Sequence, residues 1–253
     1  MKTKNVLFGA VLAAVACTVV NAEEVRVAVA ANFTAPAQEL APIYEKATGD
    51  KLLLSFGSTG AFYAQIKNGA PFDVLLAADD ETPAKAVKEN HGVAGTTFTY
   101  AIGKLVLWSS DANLVKGDAA VLTTDAVKHV AVANPKLAPY GLAAHEAMQK
   151  LGIEAAVTPK IVEGDNIGKT FQFVKTGNAQ AGFVALSQCY KDGAFTSGSG
   201  WIIPGELYNP IAQDAVLLKK GEKNEGAKRF LEFLKSSPEA ARVREAYGYG
   251  TAE

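Results

Sequence analysis

Residues 52–68 read Leu-Leu-Leu-Ser-Phe-Gly-Ser-Thr-Gly-Ala-Phe-Tyr-Ala-Gln-Ile-Lys-Asn. Leu52, Leu53 and Leu54 predict a buried strand. Gly57, Ser58, Thr59 and Gly60 predict a tight turn, and Ala61 to Asn68 a helix closed by Gly69 and Pro71. Small and hydroxyl residues at such a turn let backbone approach a ligand, or simply cap the helix. The first amides of a helix have no partner inside it and lie at the positive end of its dipole. A strand that feeds a helix through such a loop therefore offers an anion a ready seat. One loop alone needs no more than a capping role; repetition along the chain carries the functional reading.

The unit recurs on either side. Val25 to Ala30 predicts a strand, Ala31-Asn32-Phe33-Thr34 a loop, and Pro36 to Thr48 a helix ended by Gly49. Phe72 to Ala78 is a continuous apolar run, as in a parallel strand buried on both faces. Asp79-Asp80 closes it, and Thr82 to Asn90 reads as helix. Tyr100 to Ser109 breaks the rhythm as one long strand with no helix directly after it. Thr123 to Lys128 is a short helical piece.

The unit then returns: strand Val130 to Ala133, third loop 134–141, helix Leu142 to Leu151; strand Lys160 to Val162, fourth loop 163–168, helix Lys169 to Thr176. Ala181 to Leu186, Trp201 to Pro204 and Ile211 to Leu218 are further strands. Asn224 to Lys235 and Pro238 to Tyr247 are closing helices. This pattern predicts an α/β fold of two lobes, joined by long strands near Tyr100–Leu105 and Pro210–Val216. The expected division is residues 23–102 for the first lobe, 103–212 for the second, and 213–253 returning to the first. Ligands sit at the carboxyl ends of parallel strands. All four loops occupy that position, so an interlobe cleft is where they would meet.

Met1 to Ala22 is set apart from the fold. Lys2 and Lys4 precede the apolar run Val6 to Val20, and Val20-Asn21-Ala22 fits a cleavage site, so residues 1–22 read as a secretory signal peptide. A lipid anchor at Cys17 is the lesser alternative, because Ala14 stands where such sites usually carry leucine. The expected location is the periplasm. Two of the 25 basic residues leave with the leader, against 26 acidic ones, which moves the net charge from −1 to about −3. That balance argues against nucleic acid and against an anionic membrane surface as partners. Cys189 is then the only cysteine, which excludes an internal disulfide and a cysteine metal cluster. His91, His129 and His145 are scattered, and no direct protein–cation site or cofactor is expected.

The chemistry of the loops narrows the ligand. The four loops contain no histidine, and none of the four arginines, Arg26, Arg229, Arg242 and Arg244, lies in them. A bound anion would be held by backbone amides and a few side-chain donors. Hydrogen bonds to a charged group contribute roughly 1.5–3 kcal/mol each, so six or seven suffice for about −8 kcal/mol, or micromolar affinity. A fully deprotonated tetrahedral dianion needs only donors, whereas phosphate keeps a proton and benefits from a carboxylate. The loop carboxylates are Glu163 and Asp165, and Asp165 is expected to cap the following helix. The donor-rich reading favours sulfate, molybdate or tungstate. A hydrolase using the amides as an oxyanion hole would need a nucleophile with a base in reach; no Gly-x-Ser-x-Gly elbow is present. An organic solute is a further alternative, through Tyr140.

Six motifs then carry a resemblance: Val-Ala-Val-Ala-Ala-Asn-Phe (27–33), Ser-Phe-Gly-Ser-Thr-Gly-Ala (55–61), Asn-Gly-Ala-Pro-Phe-Asp-Val (68–74), Tyr-Ala-Ile-Gly-Lys-Leu-Val-Leu-Trp (100–108), Ala-Asn-Pro-Lys-Leu-Ala-Pro-Tyr-Gly (133–141) and Gly-Phe-Val-Ala-Leu-Ser-Gln (182–188). In this order, over essentially the whole mature chain, they resemble the periplasmic molybdate-binding proteins of molybdate ABC transporters. The resemblance implies a type II periplasmic-binding-protein fold and a binding rather than catalytic role. Molybdate or tungstate would sit between the lobes of a monomer and pass to separate permease and ATPase subunits. It implies oxyanion contacts at Asn32, Thr59 (hydroxyl and amide), Tyr140 (amide) and Ile167 (amide), with Ala31 and Ser58 as further amide candidates. Ala185 stands where some members carry a tyrosine hydroxyl, which leaves the number of contacts open. Thr59→Val is expected to weaken binding with little effect on folding stability.

Overall fold

The computed structural model describes residues 22–251. Apart from Ala22, the expected leader lies outside them, as does Cys17. Strand β1 (Glu24–Ala30) leads through a 3-10 turn, Ala31–Phe33, into helix α1 (Thr34–Thr48). Gly49 ends that helix in the left-handed region, φ 79°, a conformation that costs glycine nothing. Strand β2 (Lys51–Gly57), helix α2 (Thr59–Lys67), strand β3 (Val74–Leu76), helix α3 (Glu81–Lys88) and strand β4 (Phe98–Gly103) complete the first pass.

The chain then enters a second lobe. It comprises β5 (Leu105–Ser109), β6 (Val130–Ala133), α4 (Pro139–Lys150), α5 (Glu154–Val157), β7 (Ile161–Gly164), α6 (Ile167–Lys175) and β8 (Ala181–Ala185), then the small hairpin β9 (Tyr190–Lys191) and β10 (Ala194–Phe195), and β11 (Ser199–Ile202). Strand β12 (Ile211–Leu217) returns to the first lobe, and α7 (Glu225–Ser236) and α8 (Pro238–Ala246) close it.

Each lobe is built on a five-stranded sheet, in the order β2-β1-β3-β12-β4 and β11-β5-β8-β6-β7. Within each, three neighbouring strands are parallel and the rest antiparallel. The first core gathers Val25, Val27, Val29, Phe33, Leu40 and Tyr44 with Phe230 and Leu234 of α7. On the other face of that sheet Ala28 and Leu75 meet Phe62 and Ile66 of α2. The second lobe repeats this, with Leu105, Leu107, Val132 and Phe183 under α4, and Val106, Trp108 and Val184 under Val174 of α6. Strands covered on both faces carry apolar residues at every position, which is why Phe72–Ala78 and Ala181–Leu186 lack alternation.

Several expectations change; α2 and α6 begin two residues early, at Thr59 and Ile167. The long strand at 100–109 is two strands, because the chain passes from one sheet to the other at Lys104. The piece expected at 123–128 is a 3-10 turn at Ala120–Thr123. Helix α4 starts at Pro139 rather than Leu142, since proline is favoured in a first turn whose amide needs no partner. The hairpin β9–β10 carries an Asp192-Gly193 turn with φ of 50° and 91°, a turn signal not used in the sequence reading. Its Lys191 reaches across to the first lobe, pairing with Glu39 at 2.8 Å.

Candidate functional site

Strand register sets the site. The last residues of β1 and β2, Ala30 and Gly57, lie side by side, so the first and second loops emerge together. In the other lobe Ala133 and Gly164 pair at the ends of β6 and β7, so the third and fourth loops do the same. The two pairs face each other. Gly60 donates its amide to the Leu137 carbonyl across the lobes at 3.1 Å, and a methyl on Gly168 would touch Ala31 at 3.3 Å.

Asn32, Thr59, Tyr140 and Ile167 all line one cavity enclosing about 190 Å³, together with Ala31, Ser58 and Ala138. Asn32, Thr59 and Tyr140 are each 1 % exposed and Ile167 is 3 %. No charged side chain lines it. Thr59 and Ile167 are the first residues of α2 and α6, Tyr140 the second of α4, and Asn32 the second of the 3-10 turn. Their amides fall among those a helix leaves unpaired.

The side chains separate capping from ligand-facing roles. Asn166 caps α6 through its own side chain, accepting from the Lys169 amide at 2.9 Å. Asp165 therefore does not cap; it is exposed and pairs with the Lys169 ammonium at 2.8 Å. Glu163 accepts from the Asn134 side chain at 2.7 Å. Both loop carboxylates are thus kept out of the cavity lining. Ser58 precedes α2 without a side-chain capping bond. Thr59 does not cap either: its Oγ1 accepts the buried Ala78 amide at 2.9 Å, which leaves the hydroxyl proton to be donated elsewhere.

Tyr140 divides its groups. Its amide, in the first turn of α4, has no partner within the helix, while its ring is buried and its hydroxyl accepts from Gln213 Nε2 at 3.0 Å. Burial, reinforced by the neighbouring Tyr249 and Tyr100, raises its pKa well above that of a free phenol, so the hydroxyl stays neutral. Ala185 is fully buried and outside the cavity lining.

A larger, open groove, with about 1270 Å³ of empty space against the cavity's 190 Å³, lies alongside, reaching from Gly60 and Ala78 to Asn209. Asp79, Asp80, Glu81 and Glu146 line it against the single cation Lys136, and the net negative charge repels a dianion. The smaller, uncharged cavity is the one whose chemistry suits an anion.

Several residues around the cavity carry no sequence signal of their own. Ser187 Oγ donates to the Asn32 carbonyl at 2.8 Å, and Gln188 Nε2 to the Ile167 carbonyl at 3.0 Å. Both lie in the 182–188 motif, where spacing alone assigned them no role. Gln213 is a polar residue in an apolar strand, the one local hint of an inward-facing partner.

Loops of this kind, closing on an uncharged cavity between two α/β lobes, define a solute-binding protein. The chain belongs to the bacterial extracellular solute-binding protein family, whose model matches residues 25–250. Its relatives include the molybdate-binding protein ModA of Azotobacter vinelandii, 58 % identical over 90 % of each chain. Another is ModA of Rhodobacter capsulatus, 52 % identical over 91 % of this chain and 89 % of that one. The solved periplasmic molybdate-binding protein of Azotobacter vinelandii superposes with a TM-score of 0.87, at 38 % identity, covering 90 % of this chain and all of that one.

Proposed function

We propose that this chain is the periplasmic receptor that captures molybdate or tungstate between its lobes and delivers it to the permease and ATPase of an ABC transporter. The observation that carries the reading is the cavity itself: Asn32, Thr59, Tyr140 and Ile167 bring helix-start amides and a free hydroxyl proton together, with no cation and no carboxylate among them. Neutral donors held in a low-dielectric pocket stabilise a guest that offers only acceptors. The two named relatives support the choice of oxyanion. Capture is a hinge closure with no covalent step, no cofactor and no second protomer. Discrimination against sulfate is geometric: amides spaced for the larger anion are left unpaired around the smaller one. Titration calorimetry with molybdate, tungstate, sulfate and phosphate tests this. Molybdate and tungstate are expected at about micromolar affinity or tighter. Tight sulfate or phosphate binding with no response to molybdate would refute it.

Thr59 gives a sharper test. Thr59→Val deletes a donor to the anion and is expected to weaken molybdate binding by about 1–3 kcal/mol. It also deprives the buried Ala78 amide of its acceptor, so folding stability should fall by a further ~1–3 kcal/mol. The sequence alone predicts the first effect and not the second. Thr59→Ser retains both bonds and should restore both quantities; calorimetry and thermal unfolding read them separately.

A further inference from the structure

Asn32 joins the cavity to a buried polar chain spanning both lobes. Its Nδ2 donates to Gln213 Oε1 at 2.8 Å and to Tyr249 Oη at 2.9 Å. Its Oδ1 is the only buried side-chain polar atom without a partner among the described residues. Gln213 Oε1 also receives Tyr100 Oη at 3.1 Å, while Gln213 Nε2 donates to Tyr140 Oη at 3.0 Å. Among the described residues the Tyr140 hydroxyl donates its own proton to nothing. One acceptor and one donor are therefore idle at opposite ends of the same chain, and leaving a buried polar group idle is unfavourable.

The two ends of a carboxamide have the same shape, so a half-turn of both amides keeps every separation and reverses every polarity. After it, Tyr140 donates to Gln213 Oε1, and Gln213 Nε2 donates to Asn32 Oδ1. Tyr100 gives its proton to the Ala77 carbonyl, already 2.9 Å away. Tyr249 gives its proton to Asn32 Oδ1, and Ser187 still serves the Asn32 carbonyl. Every idle group is used. What remains toward the cavity is the Asn32 NH2, a donor that needs an acceptor from the guest.

We propose that Gln213 is the positioning residue of the site: in the oxyanion-bound protein it holds the Asn32 amide half-turned, NH2 to the guest, and so selects a fully deprotonated anion. This rests on the oxyanion reading above and adds its source of selectivity. With oxygen toward the cavity, Asn32 would favour a guest carrying a proton, such as hydrogen phosphate; with nitrogen there, it favours one that only accepts. The fold supplies the means. Gln213 is fully buried at the start of β12, where the pairing with β4 shifts register between Gln213 and Asp214. Such a bulge re-aims a side chain. Gly103 of β4, which pairs with Ile211, has no side chain to displace Gln213 Nε2, which a methyl there would approach to 2.5 Å.

Neutron diffraction from deuterium-exchanged, molybdate-bound wild-type crystals reads the amides directly. The expected result is the deuterated Asn32 nitrogen facing the oxyanion and the Tyr140 deuteron on Gln213 Oε1. An Asn32 nitrogen still bonded to Gln213 and Tyr249 with molybdate present overturns the assignment. Calorimetry supplies a second measure. Gln213→Met should lower molybdate affinity by about tenfold or more, and by less than about twofold when Asn32 is already alanine, because the effect passes through Asn32. Equal losses in both backgrounds would make Gln213 a scaffold residue only and overturn the proposal. Wild-type binding in the same titrations separates a failure of this assignment from a failure of the oxyanion reading.

Discussion

Gly141→Ala is expected to abolish high-affinity oxyanion binding and to cost about 3 kcal/mol of folding stability. Gly141 is the third residue of α4, and a methyl there would overlap the Ala133 carbonyl oxygen and come within 2.8 Å of its carbon. Those atoms end β6, a buried strand paired on both sides, and cannot retreat. The first turn of α4 must move instead, carrying the Tyr140 amide away from the cavity and its hydroxyl away from Gln213. Loss of one charge-assisted amide bond alone corresponds to roughly 10- to 100-fold in affinity. Calorimetry with molybdate and a thermal melt check the two effects. Unchanged affinity would mean that the third loop does not hold the anion.

The second large effect lies at the seam where the returning chain closes the first lobe. Arg229 of α7 grips Asp50, just after α1, with Nε at 3.0 Å and Nη2 at 2.7 Å. Asp50 also accepts from the Tyr44 hydroxyl at 2.6 Å and from the Glu23 amide at 3.0 Å, and its side chain is fully buried. Burial pushes the Asp50 carboxyl up, but Arg229, Tyr44 and the Glu23 amide outweigh it and bring it down to about 2. Arg229→Met leaves a buried carboxylate without its cation and should cost about 3 kcal/mol at neutral pH. For a chain of this size that is a fall of roughly 10 °C in Tm.

The pH dependence has a definite sign. The folded form releases the Asp50 proton more readily than the unfolded chain, whose ordinary value is 3.8. The network therefore stabilises fully above about pH 4, and the contribution is lost as pH falls toward 2. Wild type and Arg229→Met should differ most near neutrality, with the gap narrowing below about pH 4 and closing toward pH 2. Melts followed by circular dichroism at pH 7, 4 and 2.5 check this; a constant gap across that range would exclude Asp50 as the titrating group.

The α/β class, the two-lobed plan and the four loops were legible in the sequence, because each rests on local chemistry. Glycine and proline punctuate the chain at Gly49, Gly69 and Pro139. Buried parallel strands show as unbroken apolar runs such as Phe72–Ala78. The absence of histidine and arginine from the loops already pointed to neutral donors, and Asn32, Thr59, Tyr140 and Ile167 do share one cavity. The choice among capping side chains was not legible. Asp165 and Asn166 are adjacent and both suit a helix start; backbone geometry gave the role to Asn166 and left Asp165 to Lys169.

Tertiary structure alone decided what stands behind the loops. Thr59 supports Ala78, 19 residues away; Gln213 meets Asn32 across 181 residues and Tyr140 across 73; Asp50 waits for Arg229 across 179. No local propensity encodes such pairs, since each exists only once the two sheets have brought distant strand ends together. The residues that line the cavity are thus written in short motifs, whereas those packed behind them are set by strand order, by register and by one bulge in β12.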